Sequence, residues 1–264
     1  MKRFLIVLIV AAAGCVPLPP EDAGSGATQR SVTKRVFDDL DPGSKEQVSL
    51  HFRVAAYDSD KTRVVSELCE RLYSKIMQDT ALYSFLPREP YHITLYANRE
   101  EYLRKTGLPE WSGGVSVGNA IYAYEGPRLS GVLAHEMTHL IFREYLGRDD
   151  LTLRWVNEGL AVYEEQEAMI QAGFAPAGVV GRKVSFQEMT LLAPMDESQR
   201  DVSSWYQQVG SVVRFMIERG GRIGFGQFMR ALKDGQRPTD AVRTGFPAQW
   251  QSMDELENVW GLGR

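Results

Sequence analysis

Polar and apolar positions alternate in two short stretches of this chain and follow helical spacing in several longer ones. From Ser49 to Ala56, Leu50, Phe52 and Val54 fall on one side and His51 and Arg53 on the other. That alternation predicts a strand with His51 pointing away from the core. Tyr91 to Tyr96 repeats it, with Tyr91, Ile93 and Leu95 opposed to His92 and Thr94, so His92 reads as a strand histidine. Between them, Asp60 to Asp79 carries Val64, Val65, Leu68, Cys69, Leu72, Ile76 and Met77 at helical spacing. Cys69 lies on that apolar stripe and is expected to be a buried, inert thiol. Gly113 to Tyr122 sets glycines around short apolar pairs and reads as one edge strand. From Ser130 onward helix signals dominate. One helix of about 16 residues is expected between Ser130 as N-cap and Gly147 as stop. A second, from about Leu153 to Ile170, folds back on it after a connection of about five residues, Arg148 to Thr152. A further helix runs through Tyr206 to Ile217.

The first of these helices carries His135-Glu136-Met137-Thr138-His139. Histidines four apart project from one helical face, so both imidazoles can reach one metal ion, while Glu136, about 100° round from His135, flanks the open side. Val132, Leu133, Leu140 and Ile141 are available to bury the rest of the helix. Neutral imidazoles on a buried helix suit zinc, which takes N and O donors at about 2.0 Å, although other divalent ions accept the same ligands. A catalytic zinc needs a third protein ligand and one position left for water. The acidic candidates downstream are Glu144, Asp149, Asp150, Glu158, Glu164, Glu165 and Glu167. Glu158 is the best of them because it lies early in the returning helix, in Trp155-Val156-Asn157-Glu158-Gly159-Leu160-Ala161. Gly159, costing about 1 kcal/mol in a helix relative to alanine, makes sense where a helix and a metal site crowd together. Asn157 either orients a ligand from behind or caps the helix.

HExxH followed by 18 residues and a glutamate in a Trp-x-Asn-Glu-Gly-x-Ala context resembles the gluzincin metallopeptidases, the group of thermolysin and aminopeptidase N, and most of all their peptidase-MA-like bacterial branch. The metzincin continuation is absent, since Phe142 and Tyr145 stand where its glycine and third histidine would be. The resemblance covers roughly Tyr91 to the C-terminus and is specific between His135 and Ala161. It implies an α+β fold, with a small mixed or antiparallel sheet whose edge strand lies over the HExxH helix, followed by a mainly helical C-terminal part. The gluzincin-like domain is then expected over 44–264, with its catalytic helices in 130–170 and a helical subdomain in 186–264. Gly118, Asn119 and Ala120 are similar to the substrate-binding edge strand of that group. The glutamate with which aminopeptidases mark that strand is absent, which favours an endopeptidase or oligopeptidase. The resemblance further implies Zn2+ as cofactor, a peptide or protein substrate, and Glu136 as the general base that takes a proton from the attacking water. No histidine follows His139, so the developing oxyanion needs another donor. Tyr206 stands where the related enzymes use a later tyrosine, and either fills that role or anchors its helix in the core; Arg214 is a weaker alternative.

The N-terminus points to export. Lys2 and Arg3 precede a ten-residue apolar run, Phe4 to Ala13, and small residues lead up to Cys15. Ten residues at about 1.5 Å each cannot cross a hydrocarbon core of about 30 Å. The segment resembles a bacterial lipoprotein signal: 1–14 removed, Cys15 acylated as the mature first residue, and 15–43 serving as a Pro-, Gly- and Ser-rich tether. Ala12 departs from the leucine most common at its position in such signals. Val16 is not an aspartate, which in a two-membrane bacterium favours the outer membrane facing the periplasm. The 264 residues, 44% of them hydrophobic, can bury a core without disulfides. A net charge of −4, from 30 basic and 34 acidic residues with no basic run, speaks against nucleic acid as a partner. Two readings rival a peptidase: a catalytically silent metal-binding lipoprotein that presents its cleft to a partner, and a structural envelope protein with an accidental HExxH. Glu136, which metal binding does not need, argues against the first, and the motif together with its spacing argues against the second.

Overall fold

The computed structural model describes residues 37–175, 184–191 and 199–262. The expected signal 1–14, Cys15 and most of the tether lie outside the described residues. In chain order come β1 (Lys45–Val48), β2 (Phe52–Ala56), α1 (Ser59–Asp79), β3 (Tyr91–Tyr96), α2 (Arg99–Thr106), β4 (Gly114–Val117) and β5 (Ala120–Tyr124). Then follow α3 (Leu129–Leu146), a single 3-10 turn (Leu151–Leu153), α4 (Arg154–Gln171), α5 (Phe186–Leu191), α6 (Gln199–Gly220), α7 (Arg222–Lys233), α8 (Pro238–Gly245) and α9 (Met253–Leu262). The fold is α+β, a five-stranded mixed sheet followed by a mainly helical C-terminal part, as expected.

The sheet runs β1-β2-β3-β5-β4. The three inner strands are mutually parallel, and β1 and β4 are antiparallel edges. Both faces are covered, because alternate residues feed two cores. Phe52, Val54, Ile93, Leu95 and Ile121 face α1 and α3 in the main core. Tyr96, Val115, Ala120 and Tyr122 face Tyr102 of α2 in a smaller one. Helix α1 starts on the Asp58 side chain, which accepts from the Lys61 amide, and buries Val65, Cys69, Leu72, Ile76 and Met77 of the expected stripe, while Val64 is exposed at its margin. Burial pushes the Cys69 thiol well above its ordinary value, which leaves it protonated and inert. His51 does not point freely into solvent. Its ring stacks on Tyr73 at 4.0 Å and its Nδ1 lies 2.6 Å from Glu70, because the sheet end abuts α1 there.

The segment 113–122 is a correction. It folds as a hairpin, β4 then β5, rather than as one edge strand. Gly118-Asn119 makes a two-residue turn with Gly118 at φ +56°, a conformation that glycine adopts without strain. Only β4 is an edge; β5 is hydrogen-bonded on both sides. Gly114 brings β4 against α3, for a Cβ there would run into the Val132 side chain and come within 3.7 Å of Glu136 Cγ.

Candidate metal centre

Helices α3 and α4 form an antiparallel pair. Gly131 packs on Met169, His135 meets Glu165 and His139 meets Asn157. Gly147, at φ +68°, ends α3 in the left-handed conformation that its position after the apolar stripe predicted. The chain turns through Leu151–Leu153 into α4, which carries Glu158 back to the two histidines. Gly159 has a packing reason. A Cβ there would lie 2.6 Å from the Val209 carbonyl and 2.7 Å from Val213, so a bare backbone is what lets α6 press against the ligand-bearing turn.

His135, His139 and Glu158 are all buried, and one candidate ligand atom from each lies within 4.8 Å of the others. His139 Nε2 is 3.5 Å and His135 Nε2 3.9 Å from Glu158 Oε2. These three buried atoms have no hydrogen-bond partner among the described residues. Three converging orphaned acceptors are costly unless something binds them. Ligands held about 2.0–2.2 Å from one centre at tetrahedral angles stand roughly 3.4 Å apart, so this group could hold a metal ion.

The far side of each imidazole fixes its tautomer. His135 Nδ1 lies 3.1 Å from Glu165 Oε2, and His139 Nδ1 lies 2.9 Å from Asn157 Oδ1. Both partners accept, so each neutral ring carries its proton on Nδ1 and turns the Nε2 lone pair inward. Arg128 Nη2 donates to Glu165 Oε1 at 3.1 Å and holds that carboxylate in turn. Sequence reasoning counted Glu165 only among possible ligands. The signal that would have found its actual place is spacing: seven residues after Glu158, it returns to the same face of α4 two turns on, opposite His135 in an antiparallel pair.

Burial and charge set the protonation. Burial would lower His135, but the hydrogen bond and charge of Glu165, with Glu136 and Glu158 behind it, lift it to about 9. Burial, joined by the charge of His135, pushes His139 down to about 4. Burial raises Glu158. It would raise Glu165 as well, but the hydrogen bond and charge of His135 bring that group below its ordinary value. Three carboxylates thus surround two imidazoles in a buried volume, where their charge favours a cation, either a proton on His135 or a metal ion in its place.

Glu136, also buried, lies on α3 beside β4. Asn157 does not cap α4, whose N-cap is Leu153, and its Oδ1 lies against His139 Nδ1. Tyr206 lies on α6, outside the ligand-bearing pair, its ring buried edge-on against Trp205 at 5.2 Å. Gly118, Asn119 and Ala120 do not form an open strand edge. Gly118 is in the hairpin turn, Asn119 Nδ2 donates to the Pro90 carbonyl, and Ala120 begins the interior strand β5. Arg214 pairs with Glu167 and Glu218. No protein-family model matches the chain, and no curated protein matches it.

Proposed function

We propose that the chain is a zinc-dependent peptidase of the gluzincin kind, an endopeptidase or oligopeptidase. The observation that carries this reading is the convergence of His135 Nε2, His139 Nε2 and Glu158 Oε2, buried and without hydrogen-bond partners among the described residues, beside a carboxylate that ligation does not require. His135, His139 and Glu158 would hold the ion, which supplies an electrophile that acidifies water and polarises a carbonyl. Glu136 follows His135 directly and is buried at the foot of β4. From there it takes a proton from the attacking water and returns it to the leaving nitrogen as the C–N bond breaks, and the new carboxyl group's own proton follows, so that amide and water become carboxylate and ammonium. The outer edge of β4 faces no other strand among the described residues. It offers an extended peptide main-chain hydrogen bonds that hold its scissile carbonyl over α3. Tyr206 is the side chain we assign to the oxyanion, on the strength of the sequence resemblance. Metal analysis of the fragment from about Gln29, coupled to peptide-library cleavage with and without chelator, tests the reading. Glu136→Gln is expected to keep one equivalent of zinc and lose turnover by several orders of magnitude. Undiminished cleavage by that variant, or a full equivalent of zinc in His135→Ala, His139→Ala, would refute it.

The N-terminal sequence supports a second part of the proposal, attachment to a bacterial membrane through acylated Cys15. No helix among the described residues is long and apolar enough to cross a membrane. Two or three acyl chains anchor firmly where one is marginal. Full-length protein expressed in bacteria is expected in the detergent phase on partitioning, and Cys15→Ser in the aqueous phase. Identical partitioning of the two forms contradicts acylation.

A further inference from the structure

Beyond the metal ligands, two guanidinium groups border the same site. Arg143 lies four residues after His139, on the face of α3 that bears both histidines. Arg154 lies four residues before Glu158 on α4. The register that sets Gly131 by Met169, His135 by Glu165 and His139 by Asn157 continues to bring Arg143 and Arg154 to the same end of the helix pair. Both charges act on Glu158.

Neither guanidinium has a carboxylate within hydrogen-bond distance among the described residues. Arg143 is half-buried and makes two neutral hydrogen bonds, Nε to the His139 carbonyl at 3.3 Å and Nη2 to Ser116 Oγ at 3.1 Å. No carboxylate lies within ion-pair distance of it among the described residues. Arg154, its side chain 19% exposed, has Glu158 Oε1 at 3.9 Å as its nearest acid, beyond hydrogen-bond reach. Glu158 turns its other oxygen to the histidines, so ligation draws its charge away from Arg154. By contrast Arg128, at the other end of α3, is neutralised by Glu165. Half-buried guanidinium groups are usually paired, because each keeps several donors whose desolvation must be offset. Arg143, without a carboxylate, and Arg154, with only Glu158 at 3.9 Å, flank one end of the candidate site and keep donors available to a planar anion.

We infer that Arg143 and Arg154 form a carboxylate subsite and that the substrates are peptides bearing a carboxylate within one or two residues of the cleaved bond. This rests on the peptidase reading above. One helical turn is about 5.4 Å and an extended residue about 3.3 Å, which sets the spacing between bond and anion. Ser116, on β4, ties Arg143 to the strand proposed to align the peptide, so the anion is read at a fixed register. The carboxylate comes either from the peptide's own C-terminus or from an Asp or Glu side chain.

The test is calorimetric binding to zinc-loaded Glu136→Gln, in which cleavage does not intervene. The probes are N-acetylated hexapeptides of one sequence ending in a free acid or an amide, and a second pair with Glu or Gln beside the central bond. One member of a pair is expected to bind about tenfold or more tightly than its neutral counterpart, the usual worth of a charge-assisted hydrogen bond. Adding Arg143→Gln and Arg154→Gln should shrink that ratio to within about twofold. Discrimination by C-terminal acid assigns carboxy-end processing; discrimination by Glu assigns an acidic side chain. Equal affinities within both pairs, or no measurable binding, overturn the subsite. The acid-to-amide comparison uses both native arginines, so it stands even where Arg143→Gln fails to fold, and Arg154→Gln alone supplies a second variant. Selective binding by Glu136→Gln without any cleavage by the wild type would refute the peptidase reading and leave the subsite intact.

Discussion

At the scale of single residues, the proposed ligation would depend on atoms that never touch the ion. Glu165 and Asn157 hold the Nδ1 protons, and only that arrangement presents both Nε2 lone pairs inward. Of the two, Glu165 carries the charge, and it is itself held by Arg128. Glu165→Gln keeps an acceptor of the same shape and removes the charge, so it isolates electrostatics from geometry. Outer-sphere partners of this kind are typically worth about 10–100-fold in metal affinity. Competition with a zinc indicator is expected to show a loss in that range for Glu165→Gln, with His135→Ala losing stoichiometric binding altogether. An unchanged zinc affinity would mean that Glu165 merely fills space. The grouping of His135, His139 and Glu158 was legible from sequence because ligand chemistry demands a four-residue helical spacing and an acid on a returning helix. Glu165 was not, because its role follows from the register of α3 on α4, which no single helix encodes.

At the scale of elements, legibility followed how far each segment's partners were local. β3, α1, α3 and α4 declare themselves through alternation or a 3.6-residue stripe, and their observed bounds lie close to those predicted, whereas α6 begins at Gln199, well before the expected Tyr206. β1 does not, since all four residues of Lys45–Val48 are exposed and only pairing with β2 makes them a strand. α2 carries little apolar periodicity and is defined by Asn98 at its start and Gly107 at its end. The β4–β5 hairpin was misread because its turn signal, Gly118-Asn119, lay inside a glycine-rich run that also contains Gly114. That misreading put the expected edge strand on β5, whereas the edge strand of the hairpin is β4. Gly159 shows local preference yielding to packing. Alanine would suit α4 better by about 1 kcal/mol, yet its methyl would strike the Val209 backbone and displace α6 from the ligand-bearing turn.

At the scale of the whole molecule, a second buried charge group joins the sheet-bearing half to the helical half, away from the metal ligands. Asp79 closes α1 and is fully buried. It pairs with Lys75 one turn earlier, has Arg222 Nε of α7 at 2.8 Å, and accepts a 3.3 Å hydrogen bond from Tyr163 of α4. Glu164, next along α4, is buried with Oε1 unpartnered among the described residues. Burial first, then the charges of Asp79 and Glu167 against those of Lys75 and Arg222, pushes its carboxyl up to about 8. The folded chain therefore holds a proton on Glu164 that the unfolded chain releases near pH 4.5. Its contribution to stability is complete below that value and is lost as pH rises through about 8, with a slope of at most about 1.4 kcal/mol per pH unit. Glu164→Gln keeps the neutral shape at every pH. The stability of wild type relative to this variant, from urea unfolding at fixed zinc, is expected to fall between pH 5 and 8 by an amount on the order of a few kcal/mol. The difference between the two proteins cancels the histidines and every other group they share. Parallel stability curves across that range would show that Glu164 is ionised in the folded chain and that the cations around Asp79 neutralise both acids.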